Sequence, residues 1–263
     1  MSLAGRLRVA YRLAATTGLS LFMFFVAVLF RGLTFGRPAA RYRGINRMMR
    51  IWAWGTAWIW GMRIRVEGTP PTEPFFLVSN HLGYTDILVV CAVCPAWFIS
   101  KSEVAKWPGI GPLTRMGHTI FIDRETRRDV HRMNRLVAEL IRDGGAVGFF
   151  PEGTTTDGTD VLPFKPSLLQ PAVELGLPVT PAAIAYTTPA DAPSPAELIA
   201  WVGDADFGPH LLHLLAHRGF TARIRFGDAD VRADDRKELA RLSREAVQGL
   251  LRELNAGSKS NSD

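Results

Sequence analysis

The chain has few cysteines, and their arrangement excludes a disulfide framework. Cys91 and Cys94 are its only two cysteines among 263 residues, and they form a C-x-x-C inside the apolar segment ILVVCAVCP. No histidine or second cysteine pair lies near them in the sequence. Two reduced thiols in the core of one helix are therefore favoured over a redox or metal-binding pair.

The amino-terminal region lacks acidic residues. Residues 1–66 contain eleven arginines and no Asp, Glu or Lys, whereas residues 67–263 carry 20 basic and 25 acidic side chains. Basic arms of this kind can bind nucleic acid, but this one includes the uncharged run 13–30, which such arms rarely contain. We therefore expect no nucleic-acid partner.

The run 13–30 and the tryptophan-rich segment 51–62 indicate association with a membrane. Eighteen residues at about 1.5 Å each form a helix of roughly 27 Å, slightly shorter than the hydrocarbon core of a bilayer. Four of the seven tryptophans lie in 51–62 and favour the membrane interface. Flanking arginines favour a membrane-docking helical pair, 1–62, on the cytoplasmic face of the inner (plasma) membrane. The alternatives are a single span, a cleaved signal peptide and a buried core helix.

Beyond residue 62, short apolar runs alternate with amphipathic stretches, as in α/β domains. Seven segments are predicted strands: 63–66, 75–79, 96–100, 119–122, 146–150, 179–185 and 222–226. A helix is predicted between the fourth and fifth strands, and a closing helix has Asp235 as its N-cap. We expect one domain, 63–256, with a mixed, mostly parallel sheet flanked by helices, and then a disordered tail, 257–263.

The stretch HLGYTD, from His81 to Asp86, follows the second predicted strand. Residues at the carboxyl ends of strands in open α/β sheets face the crevice where ligands bind. A hydrogen bond from one imidazole N–H to the Asp86 carboxylate would leave the other nitrogen unprotonated, as a general base requires. Alternatively, Asp86 only caps the following helix and His81 satisfies a core carbonyl.

Two later segments end predicted strands in a similar way. GFFPEGTTTDG places Glu152 between a proline and a glycine, where backbone amides can face an anion or an oxyanion. GHTIFIDR ends with Arg124, whose guanidinium can clamp a phosphate or form a surface salt bridge. The histidines of the segment GPHLLHLLAH fit a half-buried amphipathic helix better than a metal site, and we predict no bound metal.

Four blocks carry a resemblance: NHLGYTD, GHTIFIDR, FFPEGT and LPVTPAAI, over about residues 75–185. In this order and spacing they resemble the lysophosphatidic acid acyltransferase family of glycerolipid acyltransferases. In that family the first block supplies the catalytic pair, here His81 and Asp86. The resemblance further implies that the other blocks bind substrates, through Arg124, Glu152, Gly153, Thr154 and, on the acyl-donor side, Pro178.

The resemblance implies acyl transfer from a thioester, acyl-CoA or acyl-carrier protein, to the free hydroxyl of a lysolipid, without a further cofactor. The first expected acceptor is 1-acyl-glycerol-3-phosphate. Thr155 stands where many family members have an arginine, and Lys165 is a candidate replacement for that cation. Because this variant resembles members that acylate other lysolipids, lyso-ornithine lipid is the alternative acceptor. A membrane lipid hydrolase and a non-catalytic lipid-binding protein are the more distant alternatives.

Overall fold

The computed structural model describes residues 2–102, 105, 111, 119–122 and 127–259. The first half contains α1 (Leu3–Leu33), α2 (Pro38–Trp60), β1 (Met62–Glu67), β2 (Phe76–Ser79), α3 (Tyr84–Val93), β3 (Trp97–Lys101) and β4 (Ile120–Ile122). The second half contains α4 (Arg127–Arg142), β5 (Val147–Phe149), α5 (Gln170–Glu174), β6 (Val179–Thr187), α6 (Pro195–Leu198), α7 (Phe207–Ala216), β7 (Phe220–Phe226) and α8 (Arg236–Lys259).

These strands form one sheet in the order β1-β7-β6-β2-β5-β3-β4. The pairs β6-β2, β2-β5, β5-β3 and β3-β4 are parallel, whereas β7 runs antiparallel to β6 and parallel to β1. The predicted mixed, mostly parallel sheet is therefore confirmed. Each predicted strand overlaps an observed one, with ends that differ by at most two residues.

Helices cover both faces of the sheet, so the central strands are apolar on both sides. Leu77 of β2 belongs to the core cluster shared with α2, α3 and α7. Its neighbours Phe76 and Val78 belong to the cluster shared with α4 and α8 on the opposite face. Because successive side chains of a strand point to opposite faces, β2 reads as a continuous apolar run.

The closing helix starts where the sequence predicts. The Asp235 carboxylate accepts hydrogen bonds from the amides of Lys237 and Glu238 at 2.8 and 3.0 Å, which is N-cap geometry. The helix continues to Lys259, so it includes the first three residues of the segment predicted to be disordered. Residues 260–263 lie outside the described residues.

Both cysteines are buried free thiols, Cys91 within α3 and Cys94 directly after it. Burial raises the pKa of each thiol to about 12. The thiolate needed for redox chemistry or metal binding is therefore scarce at neutral pH, in agreement with reduced core thiols.

The first helix exposes a long apolar stripe. By length and composition α1 could cross a membrane, and only 17% of its most apolar window is buried. Exposed members of the stripe are Leu3, Leu7, Leu21, Phe22, Phe25, Leu29 and Leu33. This exposure argues against a buried core helix, since a core helix would cover those side chains.

Arg12 fastens α1 to the rest of the protein. Its side chain is 5% exposed, and its guanidinium donates to the carbonyls of Leu215 (3.0 Å), His217 (2.6 Å) and Arg218 (2.9 Å). Arg8 donates to the carbonyl of Ala216. These carbonyls lie at the carboxyl end of α7, where helical partners are missing and the helix dipole is negative, so a cation stabilises that end.

Replacing Arg12 tests this contact. We expect Arg12→Met to lower the free energy of unfolding by about 1–3 kcal/mol, because buried carbonyls lose their donors. Thermal or denaturant unfolding in neutral micelles measures the change. Arg6→Met, at an exposed position of the same helix, is the control and should change stability by less than about 0.5 kcal/mol. Equal effects of the two substitutions would contradict the fastening role.

Candidate active site

The candidate site lies where β2 and β5 end side by side. The two strands are parallel neighbours, with Val78 paired to Phe149. His81 follows β2 and Glu152 follows β5, so both emerge at the same edge of the sheet. This is the edge at which open α/β sheets bind ligands.

His81 and Asp86 are in direct contact. Nδ1 of His81 lies 2.7 Å from Oδ2 of Asp86, and the two side chains are 19% and 0% exposed. The imidazole stacks on Phe150, with ring centres 4.0 Å apart and planes 6° apart. Because a carboxylate only accepts, Nδ1 carries the proton of the neutral ring, and Nε2 is the nitrogen that can accept one from a substrate.

Asp86 also caps α3. Besides His81, its Oδ2 accepts the amides of Leu82 at 2.6 Å and Gly83 at 2.9 Å. Its other oxygen, Oδ1, accepts the hydroxyl of Tyr186 at 2.6 Å. These four donors offset the cost of burying a carboxylate. The two alternative roles that the sequence suggests for Asp86, capping and bonding to His81, are therefore fulfilled together.

Tyr186 is a residue of the site that sequence reasoning missed. It lies on β6, the strand next to β2, and is only 6% exposed. Burial, together with the charge of Asp86, raises its pKa well above the usual value, so the hydroxyl stays a donor. The available signal was weak: Tyr186 is the one aromatic residue in β6, VTPAAIAYT.

The Glu152 carboxyl group accepts hydrogen bonds from backbone amides, and not from the imidazole of His81. It is 3% exposed; Oε1 accepts the amide of His81 at 2.8 Å and Oε2 accepts the amide of Leu162 at 2.9 Å. Burial raises the pKa of Glu152 to about 7, although both amide donors act in the opposite direction. The side chain thus clamps the His81 loop to the loop that follows β5.

The residues after Glu152 have different surroundings. Gly153 has a φ of 75°, a backbone conformation that favours glycine. Lys165 lies against this loop, since a Cβ at Gly153 would be 2.6 Å from its Nζ. Thr154 is exposed. The hydroxyl of Thr155 donates to the carbonyl of Trp201, which joins the segment after α6 to the candidate site.

One predicted substrate-binding residue, Pro178, is not brought into this cluster, and another, Arg124, cannot be placed. Pro178 directly precedes β6 and is level with Phe75, six residues before His81 along the neighbouring strand. At about 3.3 Å per residue, six residues span at most roughly 20 Å, so Pro178 lies at the end of β2 opposite to His81. Arg124 lies outside the described residues. The assignment of both residues to substrate binding stays a prediction.

An aromatic cluster lies beside the site and includes one of the three histidines near α7. Nδ1 of His210 accepts the hydroxyl of Tyr84 at 2.9 Å, and its Nε2 donates to the carbonyl of Ala200 at 3.2 Å. The rings of Trp201 and Phe207 pack against Tyr84. Burial lowers the pKa of His210, in agreement with a neutral ring. In the described part of the chain, no group of three or more His, Cys, Asp or Glu side chains could hold a metal.

Known proteins are similar to this chain in sequence and in fold. The family model described as Acyltransferase matches residues 63–185. The chain is 35% identical to the lyso-ornithine lipid O-acyltransferase of Brucella abortus, over 96% of this chain and 97% of that protein. It is 33% identical to the 1-acyl-sn-glycerol-3-phosphate acyltransferase of Neisseria meningitidis, over 66% of this chain and 68% of that protein.

A solved structure agrees with this similarity at the level of the fold. The 1-acyl-sn-glycerophosphate (LPA) acyltransferase PlsC from Thermotoga maritima superposes with a TM-score of 0.64 at 21% sequence identity. The superposition covers 93% of this chain and 98% of the other. Since the Brucella protein matches at 35% identity over nearly its whole length, and the matched family region contains His81, Asp86 and Glu152, the chain belongs to the acyltransferase family.

Proposed function

We propose that this acyltransferase transfers a fatty acyl chain from an acyl thioester to the free hydroxyl of a lysolipid, with His81 as the general base. The observation that carries the proposal is the 2.7 Å contact between His81 and Asp86 at the ligand-binding edge of the sheet. Nε2 of His81 accepts the hydroxyl proton while the oxygen attacks the thioester carbonyl. Asp86 then stabilises the imidazolium and keeps the ring in place.

The second half of the reaction returns the proton. The tetrahedral intermediate collapses, the carbon–sulfur bond breaks, and the imidazolium gives its proton to the departing thiolate. A thioester is already activated, so no acyl-enzyme is required. The amides of His81, Leu82 and Gly83 already donate to Glu152 and Asp86, so other donors must stabilise the oxyanion. The acyl donor in this proposal is acyl-CoA or acyl-carrier protein.

Lyso-ornithine lipid is the acceptor that we place first. The Brucella relative with that name matches across both chains, whereas the Neisseria relative matches over two thirds of this one. Thr155 supports this order. Its hydroxyl donates to the carbonyl of Trp201 and so connects the loop after β5 to the segment after α6. A threonine at this position supplies no cation for a bare phosphate.

A second candidate acceptor is 1-acyl-glycerol-3-phosphate, the one that the sequence alone places first. Lys165 favours it, because its ammonium lies against Gly153 beside the candidate site and can bind a phosphate. The Neisseria relative, at 33% identity, favours it as well.

The protein is associated with the membrane, in keeping with the exposed apolar stripe of α1 and with the lipid-acylating relatives. We place it on the cytoplasmic face, where anionic lipids attract the arginines of residues 1–66.

The first test measures ester formation by purified protein in neutral micelles, with an acyl thioester and either lyso-ornithine lipid or lysophosphatidate. We expect acylated ornithine lipid, and a rate reduced by about 10²- to 10⁴-fold in His81→Ala, because the general base is lost. His213→Ala, at an exposed histidine on α7, is the control.

Other outcomes of that assay separate the alternatives. Product from lysophosphatidate alone would move the acceptor to the second candidate. Free fatty acid without ester would identify a hydrolase. A rate unchanged by His81→Ala would reject the proposed mechanism.

A second test concerns Tyr186 as a positioning residue. We expect Tyr186→Phe to lower kcat by about 3- to 30-fold with little change in KM, because Asp86 loses a donor at 2.6 Å and holds the imidazole less firmly. The acidic limb of the pH–rate profile should move to higher pH. Without the hydrogen bond from Tyr186, the negative charge of Asp86 is less neutralised, so Asp86 stabilises the imidazolium more strongly. Tyr42→Phe removes a half-buried hydroxyl elsewhere, and a similar pH shift in that variant would argue against a specific role for Tyr186.

A third test follows from the raised pKa of Glu152. The folded protein keeps this proton up to about pH 7, while the unfolded chain loses it near pH 4.5, so stability declines as pH rises between these values. Between about pH 4.5 and pH 7, the free energy of unfolding of the wild type should fall by about 3 kcal/mol more than that of Glu152→Gln. Denaturant unfolding at several pH values measures it. Glu139→Gln, at an exposed position of α4, is the control, and an identical trend in both variants would contradict the assignment.

A further inference from the structure

A cleft lies at the edge of the sheet opposite to His81. Its volume is about 580 Å³, within the range of roughly 300–1,000 Å³ that is typical of ligand sites. The lining includes Arg43, Arg47, Arg50, Ile51, Trp54 and Glu73.

The position of the cleft separates it from the candidate active site. Glu73 precedes β2, and Pro95, which also lines the cleft, precedes β3, so the cleft lies at the amino ends of these strands. Asp86 is at the start of α3 and Pro95 follows the end of that helix. Ten helical residues correspond to about 15 Å, so a ligand in the cleft does not touch the His81–Asp86 pair.

Three arginines give the cleft its charge. Arg43, Arg47 and Arg50 are spaced four and three residues apart, so their side chains lie on one face of α2, and all three are exposed. Among the described residues, no carboxylate forms an ion pair with any of them. Arg50 reaches only the carbonyl of Ala92, at 3.5 Å.

The single carboxylate of the lining is already bonded. Oε1 of Glu73 accepts the hydroxyl of Tyr42 at 2.9 Å and the amide of Asn46 at 3.3 Å. Three guanidinium groups therefore face one carboxylate, an excess of two positive charges. The planar donor fork of arginine matches phosphate oxygens, so the cleft suits a phosphate-bearing anion.

Apolar side chains continue the same face of α2 beyond the arginines. Ile51, Trp54 and Trp58 are 53%, 45% and 75% exposed. Phe22 and Phe25 of α1, the helix that packs against α2, are also exposed. A ligand that uses the whole face has an anionic group followed by a long apolar part.

We propose that this cleft binds the headgroup phosphate of an anionic membrane phospholipid, whose acyl chains lie against Ile51, Trp54 and Trp58. Such a lipid fixes α2 at the membrane surface. An acidic carrier protein fits less well, because the arginines are followed by exposed tryptophans and not by further cations. The proposal concerns a second lipid site and does not depend on the identity of the acceptor.

The test measures lipid binding to the full-length protein in neutral detergent by native mass spectrometry. Phosphatidylserine is the probe, because it is anionic and both of its glycerol hydroxyls are already acylated. Phosphatidylethanolamine has the same phosphate but no net charge. We expect one bound phosphatidylserine, with an affinity at least about tenfold above that of phosphatidylethanolamine.

Two matched triple variants locate the site. Replacing Arg43, Arg47 and Arg50 together by Gln should weaken phosphatidylserine binding at least about tenfold. Replacing the exposed Arg128, Arg135 and Arg142 of α4 together by Gln removes the same charge elsewhere and should leave the affinity unchanged. Trp54→Ser should also weaken binding, because acyl-chain contacts are lost. All positions are exposed, and thermal unfolding checks that each variant is folded.

Several results would overturn the proposal. Equal losses in the two triple variants would mean that binding follows net charge, and no loss in the first would place the lipid elsewhere. Displacement of phosphatidylserine by excess inorganic phosphate would assign the cleft to the free anion. Binding of acyl-carrier protein that depends on Arg43, Arg47 and Arg50, without binding of phosphatidylserine, would assign it to that protein.

Discussion

The burial of the Asp86 carboxylate is the constraint on which the candidate site depends. A fully buried carboxylate must be supplied with donors, and these come from three places: its own loop, the imidazole of His81 and the hydroxyl of Tyr186 on β6. The strand order β6-β2-β5 makes this possible, because it places Tyr186 on one side of the His81 loop and Glu152 on the other. The loop is thus held from both neighbouring strands before any substrate binds.

The clamp formed by Glu152 complements this arrangement. Glu152 accepts a hydrogen bond from the amide of His81, while Asp86 accepts hydrogen bonds from the next two amides of the same loop. Consecutive backbone donors are therefore bound to two buried carboxyl groups, and the loop cannot rearrange without leaving buried polar atoms unpaired. Such a site is organised during folding, which favours catalysis by preorganised groups.

Local patterns predict most of the fold and part of the site. The strands were predictable because they are short apolar runs bounded by glycine, proline or charge, and His81 was predictable because it follows one of them. The contact of Tyr186 with Asp86 spans 100 residues, and that of Thr155 with Trp201 spans 46. Neither contact leaves a periodic signal, since each depends on which strands become neighbours. The arginines of α2 were visible in the sequence as part of the acid-free region 1–66, but the cleft required the packing of α2 against the loops before β2 and β3.

Arg12 has a consequence for any shortened form of this protein. Removing the first helix to obtain a more soluble enzyme would remove Arg12, whose guanidinium donates hydrogen bonds to the carbonyls at the carboxyl end of α7. That helix carries His210, which accepts the hydroxyl of Tyr84, two residues before Asp86. A deletion of α1 would therefore improve solubility but remove Arg12 and its contacts with α7. Polar substitutions in the apolar stripe would improve solubility and keep those contacts.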